Sequence, residues 1–179
     1  MILTVGAHKI EYPAWTLAKG LTLCTGPSGS GKTTLLLALH GELASEEAKA
    51  LAGNRSSALM PQQNTWVSYL TMSEHLHHFG GENAQELAAQ LQLNGHGKKY
   101  PHQLSVGQLQ RFSLSLTLSQ RRELILLDEP TSALDDDLAK IAFELVEHYL
   151  NNFPEASIIA VTHDSRMKQH FSGTSNWTL

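Results

Sequence analysis

A glycine-rich run in the first quarter of the chain has the residue types and spacing of a phosphate-binding loop. The run at 26–33 matches the pattern G-x-x-x-x-G-K-S/T at every position, and Thr34 follows it directly. Its glycines let successive backbone N–H groups converge on phosphate oxygens, Lys32 can reach the outer phosphates, and the Thr33 hydroxyl can bind Mg²⁺. We therefore predict a site for a nucleoside triphosphate and Mg²⁺. The residues predicted to form it are Gly26, Pro27, Ser28, Gly29, Ser30, Gly31, Lys32, Thr33 and Thr34.

Two adjacent acids, Asp128 and Glu129, follow the continuous apolar run 124–127. Such a run is typical of a central parallel strand, and open α/β sheets bind ligands at the carboxyl ends of their strands. We expect Asp128 to hold Mg²⁺ opposite Thr33, directly or through water, and Glu129 to orient or deprotonate an attacking water. The alternative is a pair of solvated acids that only end a strand. A complete phosphate loop upstream favours the catalytic interpretation.

The elements that must position these residues alternate between strands and helices. An apolar strand at 21–25 leads into the glycine-rich run, and an apolar helix follows it as far as Gly41, a suitable C-terminal cap. This alternation predicts an α/β fold with a mostly parallel central sheet, although the polar stretch 42–55 receives no assignment. The other predicted strands are Ile2–Val5, 9–17, Ser57–Met60, 124–127, Ser157–Val161 and an edge strand at 176–179, with breaks at Gly6 and Pro13; further helices are predicted at 70–95, 105–119 and 135–151.

Four short motifs extend this pattern. Pro61-Gln62 follows the strand at 57–60, and the others are LSVGQ at 104–108, SALD at 132–135 and VTHD at 161–164. Together with the phosphate loop and the two acids, they closely resemble the ATP-binding cassette (ABC) ATPase family from about residue 21 to residue 164. The resemblance implies a P-loop NTPase fold made of a single cassette over residues 1–179. It also implies a small helical lobe, at about 64–119, that carries the signature LSVGQ.

The resemblance further implies a head-to-tail dimer of two cassettes, either identical or different, with two ATP molecules at the interface. Each ATP would bind Lys32 of one chain and be closed off by Ser105, Gly107 and Gln108 of the other. A helix N-terminus with a serine hydroxyl is a good donor surface for a γ-phosphate. Val106 replaces the first glycine of the family's LSGGQ signature, and we expect the retained Gly107 to matter more.

The resemblance assigns catalytic roles to two residues besides Glu129. It implies that His163 contacts the γ-phosphate and steadies the water on which Glu129 acts. It implies that Gln62 senses Mg²⁺ and the water and links the site to the helical lobe. Gln63 is the competing residue for that role, but Thr71, which matches the family's next helix start, has the spacing expected from Gln62.

Two features depart from the family pattern. Only 30 positions separate Lys32 from Gln62, which is short for the family, so we expect the antiparallel β lobe to be trimmed. The family usually stacks an aromatic residue of its N-terminal region on adenine, and the only aromatics there are Tyr12 and Trp15. Tyr12 is the candidate for this role, and the alternative is that both residues belong to the core.

A group of histidines and aromatics follows the glutamine motif. His75, His77 and His78 form a cluster on a predicted helix. His75 and His78 are neighbours there and could bind a metal, but an exposed polar face is favoured because no third ligand is close. Trp66 and Tyr69 belong either to the core or to a groove for a partner helix. Because the family docks its membrane subunit in this region, we favour the groove.

The bulk composition excludes several classes of protein. A hydrophobic fraction of 41% and a charged fraction of 17% indicate a soluble globular protein, and a net charge of −4 argues against nucleic acid as a main partner. A single cysteine, Cys24, fits a reducing compartment, and no apolar run approaches the roughly 18 residues of a membrane span. We expect a cytoplasmic protein that acts at the membrane through a partner.

These observations lead to one main hypothesis and two alternatives. The chain is predicted to be the Mg²⁺-dependent ATPase subunit of an ABC transporter, peripheral on the cytoplasmic face of the inner membrane, with integral membrane permease subunits as partners. The first alternative is a soluble ABC ATPase that acts as a switch in a non-transport complex, such as one for cofactor assembly. The second is a degenerate module that binds ATP without hydrolysing it.

Overall fold

A five-stranded parallel sheet lies at the centre of the structure, a computed structural model that describes residues 2–5, 8–63 and 65–179. Gly6, the predicted break between the first two strands, and Asn64, the predicted start of the helical lobe, lie outside the described residues. The predicted α/β architecture is confirmed. Across the sheet the strands follow the order β4 (Ser57–Met60), β5 (Leu124–Asp128), β6 (Ser157–Val161), β3 (Gly20–Thr25) and β7 (Ser175–Thr178).

The central strands β5 and β6 are buried over their whole length, as their continuous apolar sequences require. The register pairs Asp128 with Val161 and Cys24 with Val161, so the carboxyl ends of β3, β5 and β6 meet at one edge of the sheet. The phosphate loop follows β3 at this edge, the two acids end β5, and His163 follows β6. The topology therefore brings three distant motifs together.

A separate antiparallel sheet of two strands, β1 (Ile2–Val5) and β2 (His8–Glu11), forms the trimmed β lobe that the sequence predicts. Leu3 lies in the same hydrophobic cluster as the helix that follows the phosphate loop, so this lobe packs close to the loop. Strand β2 ends ahead of Pro13 and is shorter than the predicted strand at 9–17. Proline has no N–H to donate and ends a strand of this kind.

Helix α1 (Lys32–His40) begins directly after the phosphate loop and ends at Gly41, as predicted. Gly41 has φ of 92° and donates its N–H to carbonyls of the last turn, which closes the helix. Helix α2 (Glu46–Ala52) lies in the stretch 42–55 that received no assignment. The Ser45 hydroxyl caps it by accepting a backbone N–H of its first turn.

Three helices make up the helical lobe. The helix predicted at 105–119 is confirmed within a residue, whereas the stretch predicted as helical at 70–95 contains two helices with a break at 80–83. The three helices are α3 (Met72–Phe79), α4 (Ala84–Gln90) and α5 (Val106–Ser119). Reciprocal hydrogen bonds join Thr71 to Glu74 at the start of α3, and Ser105 to Gln108 at the start of α5. The beginning of the signature helix is therefore fixed by its own sequence.

Two more helices follow β5 and β6. Helix α6 (Asp136–Asn152) is capped by Asp135, as the acidic start of this segment predicts. The short helix α7 (Ser165–His170) was not predicted, and Asp164 caps it. Within residues 2–5, 8–63 and 65–179, no helix has both the length and the apolar character needed to cross a membrane.

Candidate functional site

The phosphate loop enters α1 through a left-handed backbone at Gly31. Gly31 is the N-cap of the helix and has φ of 92°. A Cβ atom at this position would lie 2.7 Å from the Tyr12 hydroxyl oxygen, which is too close for a real side chain. The same hydroxyl donates a hydrogen bond to the Gly31 carbonyl oxygen at 2.9 Å. Both the conformation and the space therefore require glycine here.

A pocket of about 310 Å³ lies over the start of α1, at the carboxyl edge of the sheet. It unites the predicted phosphate-binding, magnesium-binding and catalytic residues of four separate motifs. The free N–H groups of the first helical turn open onto it, which favours an anion. The residues that line it are Ile10, Ser28, Gly29, Gly31, Lys32, Thr33, Thr34, Gln62, Asp128, Glu129, Val161 and His163.

The Lys32 ammonium group lies within the phosphate loop itself. It donates to the carbonyl oxygens of Gly26 and Pro27 at 3.1 and 2.7 Å, and it lies 3.5 Å from the Ser30 hydroxyl. Only 7% of the residue is exposed. The loop thus holds one positive charge at the wall of the pocket, where phosphate oxygens would meet it.

The Thr33 hydroxyl donates a hydrogen bond of 2.7 Å to a carboxylate oxygen of Asp128. Burial raises the pKa of Asp128, whereas this hydrogen bond and, less strongly, the charge of Lys32 lower it. Gln62 lines the same pocket and offers an amide oxygen. Hydroxyl, carboxylate and amide oxygens are ligands that Mg²⁺ accepts, so these three residues fit the predicted cation.

Glu129 has a left-handed backbone conformation, which is unfavourable for a residue with a side chain. Its φ is 52°, a left-handed conformation that costs a side-chain-bearing residue about 1–2 kcal/mol. Its N–H donates to the Val161 carbonyl at 2.9 Å. One carboxylate oxygen accepts the His163 N–H at 3.2 Å, and the other lies 3.8 Å from the His163 ring nitrogen Nε2.

Burial is the main influence on the carboxyl group of Glu129 and raises its pKa, while the hydrogen bond from the His163 N–H acts against this. A carboxylate of raised pKa that faces a pocket is suited to accept a proton from water. The two residues predicted to act on the water are therefore neighbours in space. They come from the ends of adjacent strands, β5 and β6.

The signature residues Ser105, Gly107 and Gln108, all in the described part of the chain, do not line this pocket. They form the start of α5, where Val106 is 74% exposed and has room for its side chain. Gly107 has no such room, because a Cβ atom there would lie 2.6 Å from the Ala133 carbonyl oxygen. The glycine that the sequence retains is thus the one that the packing requires.

Two polar contacts near the pocket were not predicted from the sequence. The Gln110 amide donates to the Glu129 carbonyl oxygen at 2.8 Å from a buried position on α5. Asp164 accepts from the Thr131 hydroxyl at 2.7 Å and pairs with Arg166 at 2.7 Å. These hydrogen bonds lower the pKa of Asp164 to about 2. The sequence did not single out Gln110, because its hydrogen-bond partners lie 19 to 23 positions away along the chain.

Tyr12 does not serve as a stacking platform for adenine. It is only 4% exposed, its hydroxyl is bonded to the phosphate loop, and burial raises its pKa to about 12. Trp15 stacks on Trp177 at 4.6 Å between ring centroids. Tyr12 belongs to the hydrophobic cluster beneath the loop, and Trp15, which is partly buried, packs against this cluster, so the core alternative fits both residues. Ile10 is the residue of this region that lines the pocket.

His77 and His78 are exposed, as predicted, but His75 is a buried structural residue and does not share their exposed face. Its Nδ1 donates to the Thr71 carbonyl oxygen at 2.8 Å and its Nε2 accepts the Val67 N–H at 3.0 Å, so both ring nitrogens are engaged by backbone groups. Trp66 packs edge-on against it and contacts the core, whereas Tyr69 is 78% exposed. Of the two aromatics considered for a groove, only Tyr69 is free on the surface.

Comparisons with known proteins identify the family of the chain. A family model described as "ABC transporter" matches residues 14–132. The chain is 36% identical over 166 residues to the "Fe(3+) ions import ATP-binding protein FbpC" of Pseudomonas fluorescens, which covers 80% of this chain and 47% of that protein. It is 35% identical over 161 residues to the "Thiamine import ATP-binding protein ThiQ" of Photobacterium profundum, which covers 77% of this chain and 65% of that protein. The chain therefore spans about half to two thirds of these relatives.

A solved structure supports the fold. The dimeric structure of MJ0796, described as a bacterial ABC transporter cassette, superposes with a TM-score of 0.75 at 22% identity over 99% of this chain and 90% of that one. The family model matches more than half of the chain, and its matched residues include the phosphate loop, the signature and the two acids. The chain therefore belongs to the ABC transporter family, as an ATP-binding cassette.

Proposed function

We propose that the chain is the ATP-hydrolysing subunit of an ABC transporter and that it works as a dimer of cassettes. One observation carries this proposal. Lys32, Thr33, Asp128, Glu129 and His163 share one pocket, while the signature residues lie outside it. Such an arrangement supplies half of a site for ATP and leaves a donor surface free for the other half. We further propose that residues 1–179 form a single cassette with its helical lobe at about 64–119.

The phosphate loop would bind the ATP phosphates through its backbone N–H groups and the Lys32 ammonium group. Thr33, Asp128 and Gln62 would hold Mg²⁺ beside the outer phosphates. When bound, the cation neutralises developing charge on the phosphate oxygens. Because Thr33 and Asp128 are already within 2.7 Å of each other, little rearrangement of the chain is needed to form this ligand set.

Glu129 would act as the base in hydrolysis. Water attacks the γ-phosphorus, its proton passes to the Glu129 carboxylate, and the bond to the leaving oxygen of ADP breaks, which yields ADP and phosphate. The His163 N–H holds one carboxylate oxygen and leaves the other turned toward the histidine ring. His163 would then contact the γ-phosphate and steady the water on its other side.

A second cassette would complete the site. In a head-to-tail pair, Ser105, Gly107 and Gln108 of one chain would close over the ATP that is bound to the other. The N-terminus of α5 and the Ser105 hydroxyl offer donors for a γ-phosphate. ATP binding would thus close the dimer, and hydrolysis would remove the group that bridges the two chains and reopen it.

The opening and closing of the dimer would move integral membrane permease subunits. Tyr69, which is 78% exposed and lies between Gln62 and the first residue of α3, is our candidate for contact with them. The relatives from Pseudomonas fluorescens and Photobacterium profundum are named as import ATP-binding proteins, which favours transport over a soluble switch. We propose that the protein acts from the cytoplasm, peripheral on the face of the inner membrane. Co-purification of the chain with a membrane protein would support its role in transport, whereas recovery in a purely soluble complex would contradict it.

The test of hydrolysis uses Glu129→Gln, which keeps the shape of the side chain and removes the base. Its turnover of ATP in the presence of Mg²⁺ should fall by about 100-fold or more, since a positioned base contributes 10²–10⁴-fold. The variant should accumulate as an ATP-bound dimer in size-exclusion chromatography. Lys32→Ala is the control, and it should neither bind ATP nor dimerise. A Glu129→Gln variant that hydrolyses ATP at the normal rate and stays monomeric would overturn the assignment.

A further inference from the structure

We infer that Gln110 is a positioning residue, one that holds Glu129 in its productive conformation and ties it to the signature helix. The inference rests on the proposed role of Glu129 in hydrolysis. Gln110 is placed on α5, one helical turn after the signature glycine Gly107. It is 9% exposed, so its amide group must find partners within the protein.

Those partners all belong to the short segment 129–133. The Gln110 amide nitrogen donates to the Glu129 carbonyl oxygen at 2.8 Å and to the Ser132 hydroxyl at 3.0 Å. Its amide oxygen accepts the Ala133 N–H at 3.0 Å. Glutamine is one of the few side chains that can donate and accept at once, and this site uses both abilities.

Glu129 depends on such support because of its backbone conformation. With φ of 52°, the residue would leave this conformation unless its surroundings fixed it. Its N–H is fixed by Val161, and its carbonyl oxygen is fixed by Gln110 together with the N–H and hydroxyl of Ser132. Without this support Glu129 could relax out of its left-handed conformation, and its side chain would then shift relative to His163. The alignment of the base therefore depends on a residue outside the pocket.

Gln110 also connects Glu129 to the signature. Gly107 lies three residues before Gln110, on the same face of α5, and packs directly against the Ala133 carbonyl. The first turn of α5 and the segment 129–133 are thus joined by a close backbone contact and by the hydrogen bonds of one side chain. In the proposed dimer this signature serves the ATP bound to the opposite chain. Gln110 would then link the base of one ATP site to the closure of the other.

The test uses Gln110→Met, which keeps the length of the side chain but removes both hydrogen-bonding groups. We expect kcat for ATP to fall about tenfold or more, because small misplacements of a catalytic group have effects of this size. The KM for ATP should change by less than about twofold, since the phosphate loop is untouched. A purely structural role would lower thermal stability and leave kcat unchanged, and that result would overturn the inference.

A second variant tests the inference even if Gln110→Met does not fold. Ser132→Ala removes an exposed hydroxyl that contacts both Gln110 and Glu129, and kcat should fall about threefold without a change in stability. If Gln110→Met does not fold, an unaltered kcat in Ser132→Ala overturns the inference instead. The matched control is Ser115→Ala, which removes a buried hydroxyl of α5 that bonds only the Phe112 carbonyl among its described partners. Its kcat should stay within about twofold of the unmodified protein.

The failure of this inference can be separated from a failure of the proposed function. An unmodified protein without ATP turnover would contradict the proposed function itself. Turnover in the unmodified protein, its loss in Glu129→Gln, and a normal kcat in folded Gln110→Met would contradict only the role of Gln110.

Discussion

Replacing Asp164 with Asn should remove a pH-dependent contribution to stability of about 2 kcal/mol. The Asp164 side chain accepts hydrogen bonds from the Thr131 hydroxyl and from the guanidinium and N–H of Arg166. These bonds stabilise the charged carboxylate and lower its pKa from 3.8 to about 2. At 1.36 kcal/mol for each pKa unit, that difference corresponds to about 2 kcal/mol.

The direction of the pH dependence follows from the lowered pKa. Asp164 contributes its full stabilisation above pH 4, where the carboxylate is charged in the folded and the unfolded protein alike. The contribution is lost as the pH falls from about 4 to about 2, because the unfolded protein takes up the proton first. The asparagine variant cannot lose a proton, so its stability should lack this dependence.

The measurement is urea unfolding of both proteins between pH 7 and pH 2. The free energies of unfolding should differ by about 2 kcal/mol near neutral pH and converge toward pH 2. Asp136→Asn is the matched control, since Asp136 also contacts Arg166 at 2.7 Å but its side chain is 90% exposed. An exposed pair of this kind contributes less than about 1 kcal/mol. A difference for Asp164→Asn that stays constant with pH would refute this reasoning.

Two further predictions concern packing. Gly107→Ala should lower both thermal stability and ATP turnover, because its Cβ would lie 2.6 Å from the Ala133 carbonyl oxygen. Val106→Gly, at the exposed neighbouring position, should leave the fold unchanged. Melting curves and ATP turnover of the two variants test this, and equal behaviour of both would contradict it. Cys24 should resist iodoacetamide at pH 8 in the folded protein and react after unfolding, because it is fully buried and burial raises the pKa of its thiol to about 11. Mass spectrometry measures the modification, and a modified Cys24 in the folded protein would argue against this prediction.

Local sequence signals predicted most of the fold. The apolar run at 124–127 became β5, the serine at 105 became the cap of α5, and Gly41 ended α1 in a left-handed conformation. Each of these depends on residues a few positions apart. Helix α2 was missed although Ser45 and the following acids are a recognisable helix start. The short helix α7 has little apolar periodicity, and its cap lies in a motif that we interpreted for catalysis.

Each motif that contributes to the pocket is contiguous in the chain, which is why its residues could be proposed from the sequence. What the sequence could not reveal were side-chain contacts between distant segments. Gln110 lies 19 positions from Glu129, and Thr131 lies 33 positions from Asp164. Tyr12 was the candidate for adenine stacking because the family usually places an aromatic residue of its N-terminal region there, and the core was the alternative. Its burial follows only from how the trimmed β lobe packs against the phosphate loop.

The segment 129–133 explains why valine fits at position 106 of the signature whereas position 107 requires glycine. At one end it holds Glu129 in the pocket, and through Thr131 it is bonded to Asp164, the neighbour of His163. At its other end the Ala133 carbonyl occupies the space that a side chain at position 107 would need. Position 106 points away from this segment into solvent, so valine fits there. The requirement for glycine at 107 is therefore set by the segment that also holds the proposed base.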